Sequence, residues 1–495
     1  MKSMKSIKTE KTIRKTLSLA LAILFLFAGC SEATQPAESP ASEPVAAPQP
    51  EEIVPAEEED AIPAPDIPAD ADFGGASFTV IYPNWSLYEF YLNAEELNGD
   101  VINDAMVNRT EAVDERLNVD ITFITKGYID TILSEVKSTV TAGDSSYDLA
   151  VTHCINGLQG LLTENLVYDW NTIPYVDLTK PYWNQSILEQ LTIEGKTPFA
   201  ASDMLIADPN VIWFNNDIAT DANIGNIYDT VLDGTWTLDT MTEMSDQVIR
   251  DLNGDGKMTA KDQYGIVGND GWPMISFMYG CDQFVAEFVD GVPQVALQSE
   301  HAMNVIEKLY KLLCEGDRAF FNSTVGDRYI PFETYRALFY YMSLSSMEQY
   351  RTTEVDYGII PFPKFDENQA EYVSLNWTGL QCVPVSCRDK ELVGMVSEEL
   401  GYESKVQVLP AYFDYLLDGK IARHEETRRM LDIIFETSVY DFGMNFSNQA
   451  NFLYVLPDLM KAKSTDLASY LKKNLKLTAK VYEKVIRGYE NLGNE

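Results

Sequence analysis

Between Asp251 and Asp262 the chain reads Asp-Leu-Asn-Gly-Asp-Gly-Lys-Met-Thr-Ala-Lys-Asp, rich in oxygen-bearing side chains. Asp251, Asn253, Asp255, Thr259 and Asp262 fall at positions 1, 3, 5, 9 and 12 of an EF-hand-type loop. Gly256 provides the sharp turn at position 6, and Lys257 offers its backbone carbonyl at position 7. A ring of hard oxygen donors suits Ca2+. The loop lies in a connection, so the expected ion is structural. Asp in place of Glu at the last position shortens the reach to the ion, and a plain Asx-rich turn is the alternative.

Catalytic constellations are scarce. His153, His301 and His424 are the only histidines, and His424-Glu425 lacks the second histidine of a metalloprotease helix. Gly143-Asp-Ser145-Ser-Tyr147 lacks the closing glycine of a nucleophile elbow. No phosphate loop or dinucleotide fingerprint occurs. Acidic residues are frequent enough to keep a paired-acid glycosidase as an alternative. Indole rings are the other resource. A pyranose has apolar C–H faces that stack on indole, and hydroxyl edges that need fixed donors and acceptors. Trp85, Trp272 and Trp377 stand among Asn, Asp, Gly and Pro, as loop residues do. Trp213 and Trp236 lie in strand and helix-start patterns and read as core.

The elements that must position these residues alternate. Ser77–Tyr82, Val119–Ile124 and Tyr147–Thr152 read as strands, separated by helices over about Asn103–Leu117 and Tyr128–Ala142. Further strands are expected at Tyr264–Gly268, Tyr357–Pro361 and Gly379–Pro384, and mostly helix from Glu425 onward. Strands alternating with helices of this length predict parallel βαβ units, hence an α/β protein. In such a sheet, ligands sit outside the carboxyl ends of the strands. That rule selects Asn84 and Trp85, Lys126, and His153 after the first three strands, and Asp270 and Trp272 after the strand ending at Gly268.

The amino terminus has its own chemistry. Lys2, Lys5, Lys8, Lys11, Arg14 and Lys15 precede the apolar run Leu17–Phe27, and Ala28-Gly29-Cys30 closes it. This is the pattern of an export signal, shorter than the ~20 residues that span a bilayer. Ala28-Gly29-Cys30 resembles the bacterial lipobox, with Phe27 where Leu is usual. The resemblance implies cleavage before Cys30, lipid on its thiol, and a chain anchored on the outer face of the cell membrane. Residues 31–73 hold nine prolines, many acids and no Lys or Arg, the composition of a disordered, self-repelling tether. A formal net charge of −39 over 495 residues disfavours nucleic acid and anionic lipid surfaces. Cys154, Cys281, Cys314, Cys382 and Cys387 are odd in number and lack metal-ligand spacing, so buried free thiols are the plainer reading.

Several motifs in order carry a wider resemblance. They are Gly143–Leu149, Gly160-Leu161-Leu162, Val211-Ile-Trp-Phe-Asn-Asn-Asp217, Thr235-Trp-Thr-Leu238 and Asp356-Tyr-Gly-Ile-Ile-Pro-Phe-Pro363. The chain resembles the family 1 extracellular solute-binding proteins, the maltose-binding-like receptors of ABC sugar importers. Asn216 and Thr237 depart from its usual Lys and Asp. The resemblance implies a two-lobed, type II periplasmic-binding-protein-like fold, each lobe a mainly parallel sheet flanked by helices, with a ligand cleft between them. Lobe one is then expected at 74–208 plus 361–435, and lobe two at 209–360 plus 436–495. Asp203 lies just before the first crossing and Trp377 near the hinge, which adds both to the cleft candidates. The implied activity is capture of a mono- or oligosaccharide by a monomer that delivers it to permease subunits. A receptor of the same fold for a peptide or another non-sugar solute is the alternative within it.

Overall fold

The computed structural model describes residues 62–321, 330–346, 354–418, 425–446 and 452–493. The export signal, Cys30 and most of the tether lie outside the described residues. Thirteen strands occur among those described, in chain order β1 Ala76–Pro83, β2 Val119–Lys126, β3 Leu149–Thr152, β4 Asn210–Asn215, β5 Tyr264–Gly268, β6 Ala286–Val289, β7 Val292–Val295, β8 Ala319–Phe321, β9 Ala337–Ser343, β10 Tyr357–Ile360, β11 Ser374–Leu375, β12 Leu380–Cys382 and β13 Ser438–Val439. They build two main sheets, ordered β12-β3-β1-β2 and β10-β4-β9-β5-β8.

Strand direction follows the route of the chain. In the first sheet β1 pairs parallel with β2 and β3, each joined through a helix, whereas β12 returns from the other lobe and runs antiparallel to β3. In the second sheet β5 runs parallel to β8 and β9, while β4, entering from the first lobe, is antiparallel to both β9 and β10. Every residue of β4, β5, β9 and β10 is buried. Side chains alternate between faces along a strand, so Val211 and Trp213 enter one apolar core and Ile212 and Phe214 the other. The first core also takes in β1 and β3 through Phe78, Val80, Leu149 and Val151. Trp213 and Trp236 are fully buried, and the Trp236 indole donates to the Pro361 carbonyl at 2.9 Å.

Helix limits are set by caps. The first long helix starts at Val101 because the Asp100 carboxylate accepts the Ile102 and Asn103 N–H groups at 3.1 Å. It stops at Leu117, where Asn118 takes a left-handed conformation with φ 51°.

Three segments depart from the expected organisation. Residues 62–73, expected to belong to the disordered tether, lie against the first lobe. Ile62, Ile67, Ala71 and Phe73 pack on its core, Lys180 bonds the Ala64 carbonyl and the Asp66 carboxylate, and Arg116 donates to the Pro68 carbonyl. These apolar anchors and cations on the folded body outweigh what the prolines and acids favour locally. Residues 361–375, expected in lobe one, stay with the second lobe. Phe362 packs edge-on against Phe277 at 4.9 Å, and the Tyr372 hydroxyl donates to the Val231 carbonyl at 2.9 Å. The C-terminal helix Leu467–Asn491, expected in lobe two, spans both cores: Leu467 and Leu471 enter one, Val485 and Tyr489 the other. Its amphipathic stripe is long enough to serve both.

Candidate functional site

Two crossing segments meet between the sheets. Pro209 restrains Asp208 to extended backbone, and Asn376 forms an antiparallel bridge with Pro209. The Asn376 side-chain oxygen accepts the Asp208 N–H at 2.9 Å and the Thr378 N–H at 3.1 Å, while the Trp377 N–H donates to the Asp208 carbonyl at 3.2 Å. Gly379 follows at a point where no side chain fits: a Cβ there would lie 1.5 Å from the Tyr88 hydroxyl. That hydroxyl donates to the Thr152 carbonyl at 2.9 Å, joining the helix Ser86–Tyr91 to the end of β3.

Above this hinge opens a cavity of about 810 Å³, lined from the first lobe by Trp85, Phe90, Tyr128, His153 and Ile155, and from the second by Trp272, Met342, Ser343, Ser345 and Tyr454. Asp208 and Trp377 line it from the crossings. Four rings form a continuous wall. Trp85 lies 4.4 Å from His153, His153 lies 6.4 Å from Trp377, and Trp377 meets Trp272 at 4.4 Å and 61°. The wall therefore runs from one lobe through the hinge to the other. The Trp377 indole N–H is buried and has no hydrogen-bond partner, an uncommon state for a buried donor.

Electrostatics are set by burial. His153 is held down to about 3, so its imidazole is neutral. The Ile155 N–H donates to its Nδ1 at 3.3 Å, which leaves the ring proton on Nε2. Asp208 accepts the Ser345 N–H and hydroxyl, both at 2.8 Å, yet burial pushes it up to about 6. The site thus offers aromatic faces, neutral donors and one buried acid. Another groove, of about 760 Å³, runs between β7 and the C-terminal helix; its accessible lining is mostly apolar, and its Arg487 is paired with Glu483 on the same helix.

Of the eight residues expected at the cleft, Trp85, His153, Trp272 and Trp377 line this cavity and the other four lie elsewhere. Asn84 is solvent-exposed, with its N–H bonded to the Gly127 carbonyl. Lys126 ends β2, the edge strand, and turns to Glu135 and the Tyr147 ring. Asp203 is held by Lys405 at 3.2 Å, and Asp270 faces a separate cavity beside Arg318 and Lys461. Asp208 and Ser345 are not among the eight, because Ala207-Asp208-Pro209 reads only as the first crossing between the lobes and the fold alone brings Ser345 to it.

In the loop Asp251–Asp262, the Asp251 carboxylate accepts the Gly254 and Gly256 N–H groups at 2.7 Å, and Asp262 accepts from Leu252 and Thr259. Asn253 and Asp255 close similar turns onto the N–H groups of Asp255 and Lys257. Among the described residues, no three His, Cys, Asp or Glu side chains gather as a metal cluster. Cys154, Cys281, Cys314, Cys382 and Cys387 are unpaired, all buried except the half-buried Cys314. None of the described helices is long and apolar enough to cross a membrane.

No protein-family model and no curated protein matches the chain. Solved structures do. An ABC substrate-binding protein of Listeria monocytogenes in complex with cycloalternan shares 10% identity over 83% of this chain and 99% of its own, with a TM-score of 0.55. An ABC transporter solute-binding protein of Thermotoga lettingae bound to α-D-tagatose shares 11% over 82% and 100%, at 0.54. A cyclo/maltodextrin-binding protein complexed with maltotetraose shares 11% over 84% and 97%, at 0.56. At such identities the likeness shows the fold. The chain has the two-lobed, type II periplasmic-binding-protein-like fold that its motifs resemble.

The buried acid makes a pH prediction. Folding raises Asp208 from the usual 3.8 to about 6, so the folded chain binds this proton more tightly than the unfolded one. Stability is then lost as pH rises from about 4 to 6, by roughly 3 kcal/mol at most for this group. The melting temperature of wild type is expected to fall from pH 5 to pH 7.5, and Asp208→Asn to fall less. Parallel melting curves for the two proteins would remove the assignment.

Proposed function

We propose that this protein is a non-catalytic receptor that captures a mono- or oligosaccharide between its lobes and delivers it to the permease subunits of an ABC importer. The observation that carries the reading is the aromatic wall through the hinge, with the unpartnered indole N–H of Trp377 within it. Rings stack on sugar faces, His153 Nε2–H and Trp377 Nε1–H donate to sugar oxygens, and Asp208 accepts from a hydroxyl. Hinge closure is the motion that brings both lobes onto the ligand. The carbohydrates named with the solved neighbours, cycloalternan, α-D-tagatose and maltotetraose, support the substrate class. Among the described residues Asp208 is the only carboxylate lining the cavity, whereas glycoside hydrolysis ordinarily needs two.

A thermal-shift screen of neutral sugars and short peptides, followed by calorimetry, tests this. Trp377→Ala and Trp272→Ala are each expected to weaken the sugar that binds by about ten- to hundredfold, the loss of 1–3 kcal/mol of stacking and hydrogen bonding. Stabilisation by peptides alone would assign the cleft to the alternative receptor class. Return of a cleaved sugar would end the non-catalytic reading.

The same proposal places the protein on the outer face of the cell membrane, as a monomer held by lipid on Cys30 and binding no nucleic acid. The signal-like start and lipobox support it. Mass spectrometry of the membrane-bound protein is expected to find Cys30 as a lipidated amino terminus, and an unmodified thiol there would refute the anchor.

Calcium in the loop Asp251–Asp262 is proposed as a staple of the second lobe, with Asp251, Asn253, Asp255, Thr259, Asp262 and the Lys257 carbonyl as donors. Its support is the all-oxygen donor set and the turns made by Gly254 and Gly256, at φ 71° and 76°. A ligand bound only by the native state stabilises by about 2.7 kcal/mol at a hundredfold excess over Kd. EDTA is therefore expected to lower the melting temperature of calcium-loaded wild type but not of Asp255→Ala. An unchanged wild-type curve would discard the ion.

A further inference from the structure

A second cavity, of about 280 Å³, lies next to the cleft, and Ile155 lines both. Its polar lining comes from Gln159, Thr163 and Glu164 on the first lobe, from Asn445, and from Lys484 on the C-terminal helix. Asn445 is 5% exposed. Its amide nitrogen donates to the Cys154 carbonyl at 2.6 Å, which fixes the orientation of the group. The amide oxygen is buried and has no partner. Asn445 lines the cavity, and a buried acceptor left unpaired is uncommon. Cys154 directly follows His153, so Asn445 is bonded to the loop that divides this cavity from the aromatic wall. Lys484 is exposed and forms no ion pair among the described residues, whereas Glu164 is paired with Lys137 at 2.7 Å. The free groups are thus one fixed acceptor, one cationic donor and the amide of Gln159. Donors and acceptors mixed in this way can meet the hydroxyl edge of a sugar ring, whose oxygens both donate and accept.

We propose that this cavity is a second sugar subsite, which takes one pyranose unit of an oligosaccharide whose other units stack on Trp85, Trp377 and Trp272. The ligand then passes Ile155 and spans both cavities, and a monosaccharide leaves the second one empty. This rests on the carbohydrate reading of the cleft.

The test uses length series of neutral α-glucans, β-glucans, xylans and mannans, from one to six units, measured by calorimetry on the full chain. In the series that binds wild type, affinity is expected to rise at least tenfold between the shortest member that binds and longer ones. The double variant Gln159→Ala with Lys484→Ala, both at accessible positions, is expected to abolish that gain while leaving the shortest binder within twofold of wild type. Asn445→Leu, if it folds, is expected to do the same. Equal affinity at all lengths, or an equal loss at all lengths in the double variant, would overturn the subsite and leave the receptor reading intact. Binding of no member of any series, together with no stabilisation by any neutral sugar in the thermal-shift screen, overturns the carbohydrate reading and the subsite with it.

Discussion

The side-chain oxygen of Asn376 accepts two backbone N–H groups, from Asp208 and Thr378, that belong to different crossings of the chain. Each buried amide would otherwise be left unsatisfied, at a cost of about 1–3 kcal/mol. Pairing both on one buried atom holds the crossings in register. Trp377 then has no freedom in its backbone, since its own N–H is spent on the Asp208 carbonyl. A third segment joins them: β13 pairs with β11, and the Asn376 N–H donates to the Val439 carbonyl at 3.0 Å. The groups that face the cavity from the hinge, the Trp377 ring and the Asp208 carboxylate, sit on the strands that must bend if the lobes rotate. The ring that lines the cavity is therefore fixed directly to the crossing segments.

The interior acids follow one pattern. Glu398 is fully buried and bonded by the Tyr182 hydroxyl, the Trp183 indole at 2.7 Å and the Asp177 N–H. Asp441 takes the Tyr279 hydroxyl and the Val285 N–H, both at 2.6 Å. Burial raises both acids, and hydrogen bonds oppose it. Asp208 differs in one respect: it also borders open space. An acid with full partners holds the fold together. An acid with partners on one side and a cavity on the other is available to a ligand.

How much of this was legible follows from strand order. The alternation of strand and helix was plain, because strands buried on both faces are continuous apolar runs, and the parallel strand β3, Leu-Ala-Val-Thr, is one. Knowing that β3 and β5 end in loops was enough to place His153 and Trp272. Lys126 failed the same rule because β2 is an edge strand, so its end lies away from the crossings. Sequence alone does not show which strand is central. Asp270 is two residues from Trp272, yet the turn between them, with the Gly271 N–H on the Asn269 side chain, sends the two to different cavities. Asp208 and Ser345 are 137 residues apart and meet only in the folded chain.

The C-terminal helix bears on what motion the fold permits. At its last turn Lys196 donates to the carbonyls of Tyr489, Glu490 and Leu492, within 3.0 Å in each case. A cation there satisfies orphan carbonyls and meets the negative end of the helix dipole. The Tyr489 hydroxyl adds a bond to the Leu191 carbonyl at 2.8 Å, and Gly488 packs so tightly on Leu162 that a Cβ would come within 2.8 Å. The other end is held by Leu467 and Leu471 in the second core. At that end the Tyr470 hydroxyl also donates to the Asp458 carboxylate at 3.1 Å, so both ends of the helix carry a directional bond as well as apolar contacts. A helix tied to both cores couples them, so any rotation of one lobe against the other has to shift its contacts at one end or the other.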